Sequence, residues 1–147
     1  MKKLIQAIAV CLLLGCTQTY RLKRDRDILV PLLQTMVEDD QRFRRDLYDV
    51  EEYRLKQDSI DNRNTQLLLD ITGKYGFPYA GRLNHNFPVQ FIFVHAPQDY
   101  WPQIDAVMKK EHENDNIGDL DYQFILWHIN GRVGMPFKTD ENGRIIK

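Results

Sequence analysis

Asp40, Asn64 and His95 are the residues whose types and placement could carry proton chemistry. Leu29, Leu33 and Met36 form an apolar stripe at helical spacing. Four residues beyond Met36 the stripe reaches Asp40, and three further on it reaches Phe43. In the next apolar segment, Ile60 plus four gives Asn64 and plus three again gives Leu67. His95 follows Ile92 and Phe91 by three and four, so it points inward if that segment is helical. A carboxylate facing a core is costly unless it is paired, so Asp40 should find Asn64, an arginine or a histidine. Gln41 and Arg44 stand close enough along the chain to complete such a network. In one arrangement the three residues share a polar pocket, with Asp40 setting the tautomer of His95 for acid–base work. In the other they form a satisfied network that fixes helix register. Spacing leaves both open.

No further catalytic set is visible. The chain has no His-Glu-x-x-His, no Gly-x-Ser-x-Gly, no phosphate-binding glycine loop and no calcium loop. His85, His95, His112 and His128 are scattered without ligand spacing, so neither a metal site nor a cofactor is expected. Tyr100, Trp101 and Trp127 stand at helical core spacing, which predicts packing rather than a sugar platform.

The amino terminus carries a different chemistry. Lys2 and Lys3 precede an apolar run, Ile5 to Leu14, too short to cross a bilayer as a helix. Leu13-Leu14-Gly15-Cys16 ends that run and resembles the lipobox of bacterial lipoproteins. The resemblance implies cleavage after Gly15, a diacylglycerol on the Cys16 sulfur, and an acyl chain such as palmitate on the new amino terminus. Cys16 is then the lipidation site, and the membrane is the first partner. Thr17, rather than an aspartate, follows the cysteine and favours the outer membrane. Cys11 would leave with the signal peptide, so no thiol remains for a disulfide, a nucleophile or a metal.

Three regions follow: a signal peptide over 1–15, a polar tether over 16–26, and one domain over 27–147. Losing Lys2 and Lys3 leaves 18 basic against 21 acidic side chains, a formal charge of −3. That balance argues against a nucleic-acid partner.

The elements that must position the candidate residues read as helices. The first starts near Val30, with Pro31 in its opening turn, and its stripe continues to Leu47. The second runs from about Ser59 to Tyr75 and stops at Gly76, with Pro78 beyond. Val89 to Val94 fits a buried strand by composition, but Asn86 and Pro88 suit a helix start. A fourth helix spans about Tyr100 to Glu113. The last spans Leu120 to about Arg132 and is apolar nearly all round, which marks it as the central, most buried one. The tail from Phe137 reads as either a small hairpin about Asn142-Gly143 or a frayed end. The fold class is therefore mainly α, about five helices in a compact bundle-like domain.

One family resemblance covers about Leu29 to Pro136. The order Met36, Asp40-Gln41, Arg44, then Asp61, Asn64, Leu68, Ile71, Tyr75-Gly76 and Pro78, then Val94-His95-Ala96, then Tyr122, Arg132, Gly134 and Pro136 resembles domain-of-unknown-function family 6624. That resemblance implies a small helical domain with the histidine at a helix end, so it favours helix for Val89 to Val94. The chain departs from the family after the last helix, with Asn130-Gly131-Arg132 and Phe137-Lys138-Thr139-Asp140. Three functions fit. One is a membrane-anchored envelope module that binds a protein or small ligand. The second is an acid–base enzyme or hydrolase using Asp40, Asn64 and His95. The third is a structural lipoprotein with no pocket.

Overall fold

The structure is a computed structural model describing residues 17–44, 50–137 and 139–141. The lipobox with Cys16, Leu47 and the Asn142-Gly143 turn lie outside the described residues. The domain is mainly helical. Its elements are α1 (Arg26–Gln41), α2 (Glu51–Tyr75), α3 (Ala80–Leu83), α4 (Gln90–Val94), a 3-10 turn (Gln98–Tyr100), α5 (Trp101–Glu113) and α6 (Asp119–Ile129). Residues 17–24 are also helical.

Each helix has local reasons to form. In α2, Glu51 and Glu52 occupy the first turn and Lys74 the last, complementing the helix dipole. The Glu52–Lys56 pair, 2.6 Å apart, supports the first turns one helical repeat along. These charged but strongly helix-forming residues start α2 at Glu51, well before the apolar signal at Ser59. Gly76 ends it at φ +75°. In α1, Pro31 lies inside the helix, not in its first turn, because the helix opens at Arg26. Pro31 is exposed, so the carbonyl that lacks an N–H partner because of it can turn to water. The stripe of α1 ends at Gln41, and Phe43 stacks on Tyr53 across the turn, ring centroids 5.4 Å apart.

Three expectations are corrected. The mixed-charge segment read as a tether contributes to the domain: Leu22 is buried in the core, and Arg26 donates to the Leu83 carbonyl at 3.0 Å. One leucine among polar residues anchors a helical turn without producing a visible periodicity. The last helix is not the centre. Of α6 only Ile125 and Ile129 are buried, and Leu120 is half exposed. The centre is α4, where Ile92 and Phe93 are sealed and which packs against α1, α2 and α6. A five-residue apolar helix can be covered on every side, whereas α6 packs mainly on α4 and α5, which leaves part of its surface uncovered. Val89, not Asn86, is the residue before α4, and Phe91 N–H donates to the Pro88 carbonyl at 3.2 Å.

Candidate functional site

Asp40 sits in the last turn of α1 and His95 at the C-terminal cap of α4. Because α1 packs on α4, the two meet. His95 Nδ1 lies 2.8 Å from Asp40 Oδ2 and 3.1 Å from Oδ1. The Asp40 side chain is 1% exposed and that of His95 23%. Gln41 Nε2 donates to Asp40 Oδ2 at 2.6 Å, and Arg44 stands 3.5 Å from Oδ1. The buried carboxylate therefore has the partners its burial demands.

Asn64 is as buried as expected but joins a different contact. Its Nδ2 donates to the Met36 carbonyl at 2.9 Å, and its Oδ1 accepts from Arg63. It staples α2 to α1 one turn before Asp40. The α2 residues that reach the site are Gln57 and Asp61. Gln57, fully buried, donates through Nε2 to the Asp40 carbonyl (2.9 Å) and to Asp61 Oδ1 (2.8 Å), and accepts from Phe43 N–H at 3.1 Å. Arg44 bridges from Asp40 to Asp61, 2.5 Å from the latter. Stepping back from Asn64 by three and seven would have reached both residues. An apolar criterion for the stripe passed over them.

Burial pushes the Asp61 carboxyl above its ordinary value, against the opposing pull of Gln57 and Arg44, and the Asp40 charge adds to the rise. Its folded value thus exceeds its unfolded one. The stability it contributes is fully present below the unfolded value and is lost as pH rises through the folded value. Asp61→Asn removes that titration while keeping an acceptor for Gln57. The variant should be at least as stable as the wild type at neutral pH, and the gap should close as pH falls towards about 4. Urea midpoints across that range check it; a variant markedly less stable at neutral pH contradicts the assigned direction.

Around His95 the wall is aromatic. Phe91 stacks beside its ring with centroids 6.0 Å apart, Phe124 meets Phe91 edge-on at 6.0 Å, and His128 meets Phe124 at 4.7 Å. Burial, the Arg132 guanidinium and His95 itself push the His128 imidazole below its ordinary value. Once Nδ1 donates to Asp40, the lone pair of a neutral His95 is on Nε2, in a side chain that is partly exposed. The side chains bonded to this pair are an amide and a guanidinium, not a hydroxyl or thiol. The arrangement suits direct proton transfer or activation of water rather than a covalent intermediate. Among the described residues no group of three or more His, Cys, Asp or Glu could hold a metal ion, and no helix is long and apolar enough to cross a membrane.

No family model matches the chain, and neither a curated protein nor a solved structure matches it.

Proposed function

We propose that this chain is a lipid-anchored bacterial envelope lipoprotein, akin to domain-of-unknown-function family 6624, whose domain presents His95 as an acid–base group to a small ligand. The observation that carries the acid–base reading is the 2.8 Å contact from a sealed Asp40 to a His95 left partly open to solvent. A purely structural network would have no need to leave the imidazole partly exposed. The anchor rests on the order Lys2-Lys3, apolar run, Gly15, Cys16. Three acyl chains would hold such a domain on the membrane stably.

A binding module without catalysis is the second reading. It is favoured by the apolar side chains left exposed at Leu120, Val133 and Met135.

The test uses the full-length protein in detergent with two variants. Cys16→Ser should lose the acyl mass and the membrane fraction; an unmodified wild-type Cys16 refutes the anchor. His95→Gln should leave the thermal midpoint nearly unchanged and abolish turnover of ester, amide or phosphoester probes. Turnover that survives in His95→Gln, or none in the wild type, rejects the acid–base reading and leaves the binding module.

A further inference from the structure

A cavity of about 470 Å³ is bounded by the end of α5, by α6 and by the segment after it. That volume lies in the ordinary range of small-ligand sites. Its lining includes two aromatic rings, Tyr122 and Trp127, with His112, Asp119 and Asn130 among them and Pro136 at the edge. None of Asp40, Asn64 or His95 lines it.

The rings are held. His112 lies flat against Tyr122, with centroids 4.1 Å apart and planes 8° apart, and His112 Nε2 bonds Asp119 Oδ1 at 2.8 Å. Trp127 Nε1–H donates to the Gly134 carbonyl at 3.1 Å, which spends the indole's one donor and ties the following segment over the helix. What Trp127 can offer a ligand is therefore ring surface. The polar lining offers acceptors at two residues: Asp119 has its second carboxylate oxygen, and Asn130, one of whose amide N–H groups is committed to the Leu126 carbonyl at 2.8 Å, keeps its oxygen and a second N–H.

We propose that this cavity binds a saccharide. A sugar ring has an apolar C–H face to lay on Trp127 or Tyr122, and hydroxyls that donate to Asp119 and Asn130. A hydrocarbon would strip water from those acceptors and give nothing back. An anion such as phosphate would meet the Asp119 carboxylate, and a compact cation would find a single free carboxylate oxygen and would leave the two rings unused. The ligand that matches rings and acceptors together is neutral, hydroxylated and partly apolar. The expectation that Trp127 is a core residue fails because α6 is only half covered, and that uncovered side is what the cavity exposes.

The experiment titrates full-length protein, in a detergent without a sugar headgroup, with neutral mono- to tetrasaccharides of the gluco, galacto, manno and N-acetylhexosamine classes. Binding is read by tryptophan fluorescence and by the shift in thermal midpoint. At least one saccharide should give a saturable response. Trp127→Ala and Asp119→Ala should each weaken it by about tenfold or more, with circular dichroism unchanged. His95→Gln should bind as the wild type does, which separates this site from the one proposed above. No saturable response to any saccharide overturns the proposal, as does affinity undiminished in Asp119→Ala or lost equally in His95→Gln. If Trp127→Ala fails to fold, Asp119→Ala together with Asn130→Ala decides it.

Discussion

Replacing Asp40 by alanine should destabilise the domain by about 3 kcal/mol, near the lower end of what breaking a buried charged pair costs. The carboxylate is 1% exposed and accepts from His95, Gln41 and Arg44. Removing it leaves three donors facing the end of α1. The loss falls at the lower end because these donors have other recourse: Arg44 keeps Asp61, and His95 can turn to water at its exposed edge. Asp40→Asn retains one acceptor and most of the volume, so it should cost roughly half as much. Urea denaturation at neutral pH measures both. An alanine variant within about 0.5 kcal/mol of the wild type would mean that the carboxylate is not desolvated as described.

The second large effect is expected far from that site, at Gly76. Its φ of +75° and ψ of 166° belong to a region that essentially only glycine adopts, at about 1–3 kcal/mol for another residue. Space is also lacking. A Cβ there would come within 2.5 Å of Arg82 Nη1, 2.8 Å of Asn116 Nδ2 and 2.9 Å of Glu111 Oε2. These are side-chain ends, but two of them are engaged: Glu111 accepts from Phe77 N–H at 2.7 Å and Arg82 donates to the Phe77 carbonyl at 3.0 Å. The two side chains clamp the backbone of a fully buried phenylalanine, so moving them loosens the chain between α2 and α3. Gly76→Ala should therefore cost about 2–4 kcal/mol, backbone strain and disturbed hydrogen bonds together. Gly73 supplies the contrast. It is inside α2, exposed, with nothing within 4 Å of a Cβ, so Gly73→Ala should stabilise by up to about 1 kcal/mol. Equal effects at the two glycines would contradict this account of the α2 terminus.

The sequence carried the meeting of Asp40 and His95 because both continue apolar stripes, and a periodic pattern reports which side of a helix faces inward. It does not report what covers that side. Asn64 was therefore legible as buried but not as the staple to the Met36 carbonyl. Gln57 has no signal in the apolar stripe and Asp61 enters only through the family resemblance, because the stripe runs through Ile60, which is only partly buried, whereas the sealed register is Gln57, Asp61, Asn64, Leu68. The same limit explains α6. An all-round apolar helix is equally compatible with a central position and with lining a cavity, and only the arrangement of α4 and α5 decides between them. Residues 17–24 were illegible for another reason: a single buried Leu22 makes no period.

The central claim is that Asp40 fixes His95 with Nδ1 as donor and Nε2 as the free base. Nitrogen-15 shifts of the imidazole, recorded where the ring is neutral, read the tautomer directly. The account predicts a protonated Nδ1 and an unprotonated Nε2 for His95 in the wild type, with the preference lost or reversed in Asp40→Asn, where the side-chain amide can donate to Nδ1. A His95 protonated on Nε2 in the wild type, or a tautomer indifferent to Asp40→Asn, would contradict it.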